Sequence, residues 1–316
     1  MMDVLMPMPM PDLIVNGIAA SQKLHRMWEM SAAEIAAITP QIRGLAVGFG
    51  HVPINADFMG RFPNLEIVSS FGVGYDHVDA KWAGTHGLIV TNTPDVLNEE
   101  VADTAIGLLL CTVRQLPQAE RHVRSGAWLK GNFPLTTTLR GRTMGIVGLG
   151  RIGKAIATRA ETFGVKIAYH GRSQQANVAY PYYASLKDMA AAVDILMVIT
   201  PGGPETKGLI NAGVLAALGP NGILINVARG SVVDEPALIK ALQDKVILTA
   251  GLDVFVDEPR VPQALLDMDH VVLFPHVGSA SQHTRDAMAQ LVVDNLTSWA
   301  KAKVPLTPVA ETPWKA

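Results

Sequence analysis

The feature that most constrains this chain is a glycine turn set between an apolar run and a helical one. Gly148-Leu149-Gly150-Arg151-Ile152-Gly153 follows the run Met144 to Val147 and opens the helical stretch Lys154 to Phe163. In that setting Gly148 permits a tight turn, Gly150 lets a pyrophosphate approach the backbone, and Gly153 lets the helix pack close to the strand. The helix N-terminus adds unpaired N–H groups and positive potential. A glycine triplet means little in a chain with 28 glycines. With a strand before it and a helix after it, the turn predicts a dinucleotide site at Gly148, Gly150, Arg151, Ile152 and Gly153.

The next strand selects the cofactor. An NAD site usually carries an acidic residue about 20 residues beyond the turn, where it accepts hydrogen bonds from the ribose. Here the strand ends Ala168-Tyr169-His170-Gly171-Arg172-Ser173, without a carboxylate. Arg172 offers a bidentate fork to a 2′-phosphate, Ser173 a second donor, and Gly171 the room for the group. NADP is expected rather than NAD.

Around this turn the chain reads as α/β. Apolar runs at Leu45 to Val47, Leu65 to Val68 and Leu88 to Val90 alternate with amphipathic stretches between Arg43 and Asn92. A second series predicts six parallel strands, at Met144 to Val147, Lys166 to Tyr169, Ile195 to Ile199, Gly222 to Asn226, Leu248 to Asp253 and Val271 to Phe274. Asn98 can cap a long helix that runs through Arg124, with Glu99 and Glu100 in its first turn. A last helix is expected over Thr284 to Lys301. With 316 residues, 49% of them apolar and 17% charged, the chain can bury two medium cores.

Composition also excludes partners. A formal charge of −2 gives no basic field for nucleic acid or anionic lipid. No stretch of about 18 uncharged apolar residues predicts a membrane span. The prolines after Met6 and the lack of a basic segment make the N-terminus a poor secretion signal, and a cytoplasmic protein is expected. The single cysteine, Cys111, lies in an apolar run and reads as a small buried hydrophobe. No His/Cys spacing suggests a metal.

Three ionisable residues follow late apolar strands: Arg229 in Asn226-Val227-Ala228-Arg229-Gly230, Glu258 in Asp257-Glu258-Pro259, and His276 in Phe274-Pro275-His276. Reducing a keto acid takes a cation to hold the carboxylate and polarise the ketone, and an acid to protonate the developing alkoxide. Arginine suits the first task and an imidazolium the second. A carboxylate beside the imidazole would favour its charged form, and Glu258 and Asp257 both offer one.

These motifs, in this order and at these separations, resemble the D-2-hydroxyacid dehydrogenase family along nearly the whole chain, and its glyoxylate/hydroxypyruvate reductases most through Gly171-Arg172-Ser173. The resemblance implies that Arg229 binds substrate, that His276 exchanges the proton, and that Glu258 rather than Asp257 orients and charges it. Asp253 matches a residue that contacts the nicotinamide carboxamide. Thr200, Pro201, Thr206, Val227, Ala228 and Gly278 fall where the family contacts its cofactor. Phe71-Gly72-Val73-Gly74-Tyr75-Asp76 resembles a loop whose Val73 and Gly74 N–H groups hold the substrate carboxylate. Glu100-Val101-Ala102-Asp103-Thr104 resembles the start of the family's long interdomain helix.

The implied architecture is a Rossmann cofactor domain over residues 99 to 284 and a split flavodoxin-like substrate domain over 1 to 98 and 285 to 316, both with parallel sheets. The implied activity is NADPH-dependent reduction of small 2-keto acids such as glyoxylate and hydroxypyruvate by a homodimer. Larger keto acids, 2-ketogluconate or aryl pyruvates, remain an alternative, with Phe49, Trp128 and Phe133 as candidate pocket residues. A nucleotide-sensing corepressor or scaffold on the same fold is a further one.

Overall fold

A computed structural model of the chain describes residues 1–48 and 52–314, so Phe49 lies outside the described residues. The chain enters its first sheet earlier than the run at Arg43 predicts. Val4, Leu5 and Met6 are fully buried in β1 (Asp3–Met6), and the prolines that follow only end that strand; Pro11 stands at the entry to α1 (Asp12–Ser21). Then come β2 (Lys23–Arg26), α2 (Ala32–Ile38), β3 (Ile42–Val47), α3 (Ala56–Met59), β4 (Ile67–Ser70), α4 (Ala80–Thr85) and β5 (Ile89–Thr91). The five strands pair in the order β2-β1-β3-β4-β5, all parallel. This is the flavodoxin-like winding. Leu45, Val47, Val68 and Val90 pack with Phe58 and Met59 into one of its cores.

The next unit starts with α5 (Asn98–Arg114), which stops ten residues short of the expected Arg124. Gln115 takes a left-handed conformation, φ 50°, and α6 (Leu116–Arg124) restarts with Pro117 in its first turn. Pro117 lacks the N–H that an unbroken helix would bond to Val113, and its ring would strike that carbonyl. The chain continues through β6 (Thr143–Val147), α7 (Arg151–Thr162), β7 (Lys166–His170), β8 (Tyr182–Tyr183), α8 (Leu186–Ala192), β9 (Ile195–Val198), α9 (Ala212–Leu218), β10 (Ile223–Asn226), α10 (Glu235–Gln243), β11 (Thr249–Leu252), α11 (Gln263–Leu266) and β12 (Val272–Leu273).

These seven strands form one parallel sheet in the order β12-β11-β10-β9-β6-β7-β8. Six were expected; β8 is a short extra edge that pairs through Tyr169 with Tyr182 and His170 with Tyr183. Its two tyrosines directly follow Pro181, and a two-residue strand is too short to show an alternating pattern. The order reverses between β6 and β9, the crevice where doubly wound sheets bind ligands. Strands such as Ile195–Val198 and Ile223–Asn226 are buried throughout, as parallel strands covered on both faces must be.

The last helix, α12 (Gln282–Ala302), is capped by Ser281 and belongs to the first unit, which comprises Met1–Leu97 and Ser281–Ala316 against Asn98–Ala280 for the second. It buries Met288, Val292, Leu296 and Trp299. Gly17 on α1 admits it closely, since a Cβ there would meet Val293 Cγ2 at 2.8 Å. Glu66, just before β4, accepts from Trp299 Nε1 at 2.8 Å and pairs with Lys303 and Arg43. The chain then runs along β5: Val309 N–H donates to Val90 O at 2.9 Å and Pro308 bridges Thr91 antiparallel. A sheet edge is covered in this way. Among the described residues no helix is long and apolar enough to cross a membrane.

Candidate active site

The glycine turn lies between β6 and α7, at the point where the strand order reverses. Gly148 has φ 99°, and a Cβ on it would meet the backbone of Thr200 at 2.8 Å. A Cβ on Gly153 would stand 2.4 Å from Gly148 O. Neither position admits a side chain. Gly150 is the N-cap of α7, and open space lies where its Cβ would be. The N-terminal turn of this twelve-residue helix therefore faces a place where a pyrophosphate can approach the backbone. Arg151 is exposed and Ile152 half-buried in that first turn.

The Gly171–Ser173 turn is held from three sides. Tyr182 OH donates to Gly171 O at 3.2 Å, Gln175 N–H donates to Tyr169 OH at 2.8 Å, and Gln175 Nε2 donates to Leu149 O at 2.7 Å. The last bond ties this turn to the glycine turn. Arg172 and Ser173 stand exposed at its tip, and open space lies beside Gly171. A 2′-phosphate fits this arrangement: a fixed backbone, a guanidinium and a hydroxyl. His170 is engaged elsewhere, its Nδ1 2.9 Å from Tyr183 O. Beyond β9, Thr206 Oγ1 donates to Pro201 O at 2.7 Å and closes the loop that begins at Thr200. Val227 and Ala228, after β10, are nearly buried.

Arg229, Glu258 and His276 follow β10, β11 and β12, three neighbouring strands, so one end of the sheet brings them together. The Arg229 loop is cinched by Asn226, whose Nδ2 donates to Arg229 O at 3.0 Å and whose Oδ1 accepts from Ala228 N–H at 3.1 Å. A Cβ on Gly230 would lie 1.9 Å from Phe255 C, so only glycine lets this loop rest on the loop after β11. Arg229 is half-buried and its Nη1 donates to Ala228 O at 2.8 Å.

Glu258 Oε2 lies 2.7 Å from His276 Nδ1, and its Oε1 accepts from Phe255 N–H at 3.0 Å. Asp257, the rival carboxylate, turns away to pair with Arg260 at 2.7 Å. Burial pushes the Glu258 carboxyl up, but the hydrogen bonds from His276 and Phe255, with the charges of His276 and Arg229, outweigh it and hold it below the usual carboxylate range. Glu258 is an anion at neutral pH. His276 itself has φ 54°, and its N–H donates to Asp253 O at 2.8 Å.

Asp253 is 2% exposed and its carboxylate spans the next two residues, accepting from Val277 N–H at 2.7 Å and Gly278 N–H at 2.9 Å. Burial pushes its carboxyl above the usual range despite those bonds. The side chain expected to face a carboxamide thus also fixes the loop that carries His276. In the first unit, the loop after β4 turns at Gly72, φ 152°, where Gly72 N–H donates to Thr93 Oγ1 at 3.1 Å. Val73 O accepts from Asn92 Nδ2 at 2.8 Å. Tyr75 OH donates to Glu311 at 2.9 Å; burial, then that carboxylate, push its phenol up to about 12.

The model of the D-isomer specific 2-hydroxyacid dehydrogenase NAD-binding domain matches residues 106–278. A hydroxyphenylpyruvate reductase of Plectranthus scutellarioides is 46% identical over 307 residues, 97% of this chain and 98% of its own length. The chain belongs to the D-isomer specific 2-hydroxyacid dehydrogenases. A glyoxylate/hydroxypyruvate reductase A of Arabidopsis thaliana is likewise 46% identical, over 97% of this chain and 98% of its own. Among solved structures, an NADPH-dependent glyoxylate/hydroxypyruvate reductase of Sinorhizobium meliloti, in complex with NADP and malonate, superposes with a TM-score of 0.95 at 52% identity, covering 100% of this chain and 98% of that one.

Several residues that shape the site of this dehydrogenase escape a sequence reading. Gln175, Tyr182 and Asn92 act by bonding main-chain carbonyls, which leaves no periodicity and no motif. Of the aromatic pocket candidates, Trp128 of the dehydrogenase is 62% exposed, and Phe133 packs edge-on against His122 with ring centres 5.5 Å apart.

Proposed function

We propose that this dehydrogenase reduces small 2-keto acids, glyoxylate and hydroxypyruvate, to their 2-hydroxy acids with NADPH. The observation that carries the reading is the 2.7 Å contact between Glu258 and His276, beside Arg229 at the cofactor end of the sheet. When bound, the dinucleotide supplies the hydride that adds to C2. Glu258 commits Nδ1 of His276, so proton delivery to the carbonyl oxygen falls to Nε2. Arg229 holds the substrate carboxylate and draws electron density from the ketone. Val73 and Gly74 N–H groups are assigned to that carboxylate by the family pattern.

For the cofactor, the turn at Gly148, Gly150, Arg151, Ile152 and Gly153 takes the pyrophosphate, and Gly171, Arg172 and Ser173 the 2′-phosphate. Thr200, Pro201, Thr206, Val227, Ala228 and Gly278 line its path, and Asp253 meets the carboxamide. NADP in the solved Sinorhizobium meliloti relative supports this choice. Residues 1–97 with 281–316 are assigned to substrate and the intervening unit to cofactor, in a cytoplasmic homodimer.

Aryl pyruvates form a second reading, favoured by the hydroxyphenylpyruvate reductase at the same 46% identity as the Arabidopsis glyoxylate/hydroxypyruvate reductase. A steady-state screen of glyoxylate, hydroxypyruvate, 2-ketogluconate and hydroxyphenylpyruvate with NADPH and NADH tests both. The highest kcat/KM is expected for glyoxylate or hydroxypyruvate with NADPH; no oxidation with any of the acids defeats the reductase reading. Light scattering at twice the monomer mass checks the dimer.

A further inference from the structure

A chain of hydrogen bonds runs from the interior of α12 to the Val73 peptide, all within the first unit. Asn295 is fully buried. Its Oδ1 accepts from Leu306 N–H at 3.0 Å and Thr307 N–H at 3.1 Å, and its Nδ2 donates to Leu291 O at 2.8 Å and Thr307 Oγ1 at 2.9 Å. Both donors of the amide and both sites of its oxygen are thereby used. Thr307 Oγ1, having accepted, donates its own O–H to Asn92 O at 2.6 Å. Asn92 N–H returns to Thr307 O at 3.3 Å, and Asn92 Nδ2 donates to Val73 O at 2.8 Å. Four residues far apart in sequence thus form one relay.

The far end of the relay is a peptide bond whose two polar groups are locked to each other. In a planar trans peptide the Val73 carbonyl and the Gly74 N–H point in opposite directions. Pulling the carbonyl toward Asn92 therefore aims the Gly74 N–H the other way. Without Asn92 that peptide can flip, since glycine at its C-terminal side resists little, and the carbonyl oxygen then takes the place of the N–H. A carboxylate would meet a lone pair instead of a donor. The segment that feeds the relay is itself anchored: Val309 N–H donates to Val90 O at 2.9 Å, Val90 N–H donates to Thr312 Oγ1 at 3.0 Å, and Glu311 holds Tyr75 on the same loop at 2.9 Å.

We propose that residues 306–311 brace the keto-acid loop, with Asn295, Thr307 and Asn92 as positioning residues that keep the Gly74 N–H turned toward the substrate carboxylate. The proposal rests on the reading of Val73 and Gly74 as carboxylate donors. It makes affinity for the acid depend on a segment that contributes no group to the chemistry.

The test uses the full chain. Thr307→Val removes the hydroxyl in nearly the same volume and Thr307→Ser restores it, while Asn92→Ala removes the final donor. Thr307→Val is expected to raise the glyoxylate KM about fivefold, the factor equivalent to one ordering hydrogen bond of about 1 kcal/mol, and Asn92→Ala about tenfold. The KM for NADPH should stay at the parent value in all three, and Thr307→Ser should return the glyoxylate KM to it. Calorimetric titration of NADPH-saturated protein with oxalate reads the same grip without turnover, and the same losses are expected there. A parent that binds oxalate but oxidises no NADPH with any keto acid counts against the proposed activity alone. Unchanged glyoxylate KM and oxalate affinity in Asn92→Ala, no oxalate binding to the parent, or equal losses in Thr307→Val and Thr307→Ser overturn the brace.

Discussion

Asp253→Asn separates holding the His276 loop from touching a cofactor. In the parent, each carboxylate oxygen accepts one backbone N–H, Val277 at 2.7 Å and Gly278 at 2.9 Å, in a side chain 2% exposed. Asparagine keeps one oxygen, so one N–H meets an NH2 group instead of an acceptor. Leaving a buried N–H unpaired costs about 1–3 kcal/mol, and replacing the remaining charge-assisted bond by a neutral one costs about 1 kcal/mol more. Relief of the buried charge, whose carboxyl is already pushed up by burial, returns part of this. The net loss is about 2–3 kcal/mol, which for a unit of this size lowers Tm by roughly 4–12 °C. The loop relaxes at Val277, next to His276, and a displacement of about 1 Å there is enough to cost about 100-fold in kcat. Thermal melting, stopped-flow single turnover and NADPH titration by fluorescence read the three quantities. A variant with parental Tm and kcat that has lost only NADPH affinity would refute the loop-holding role.

His276→Ala should abolish most turnover, on the order of a 100-fold or greater loss, while fluorescence titration still shows NADPH binding; an unchanged rate sinks its role as acid. Arg172→Ala should raise the KM for NADPH about tenfold or more and leave that for NADH nearly unmoved, and equal losses for both would remove the 2′-phosphate assignment. Glu66→Gln should destabilise the first unit by about 1–2 kcal/mol at neutral pH. Burial pushes the Glu66 carboxyl up, but hydrogen bonds from Lys303, Arg43 and Trp299 bring it below the usual range. A depressed carboxyl adds stability above its unfolded pKa and loses it as pH falls through the folded one. Chemical denaturation across pH should therefore show the variant and parent converging in acid, and a gap that widens there contradicts the sign.

The glycine turn, the missing acid after β7 and the placement of Arg229, Glu258 and His276 were legible because each is a residue type demanded at a fixed point of a strand-turn-helix pattern. The choice between Glu258 and Asp257 needed the resemblance; in the structure Glu258 lies against His276 and Asp257 pairs with Arg260. The break at Gln115 could be read from Pro117, since proline at that position ends a helix that its neighbours favour. The edge strand β8 and β1 were not legible in the same way. Tyr182–Tyr183 is too short for a period, and Val4 to Met6 hides among methionines and prolines that suggest no sheet. Asn92 and Thr307 are legible only in three dimensions, because their partners are carbonyls brought near by the fold.

The division of the chain gives the order of synthesis a consequence. The first five strands are made first, yet Gly17 and Glu66 wait for Val293 and Trp299 on a helix that follows the whole second unit, and for Lys303 just after it. A nascent chain halted after Ala280 would carry a contiguous second unit behind an N-terminal segment, Met1–Leu97, still lacking its cover. Its exposed α1 and β4 surfaces would be where a chaperone binds, and the release of the last helix from the ribosome would be the moment that binding ends.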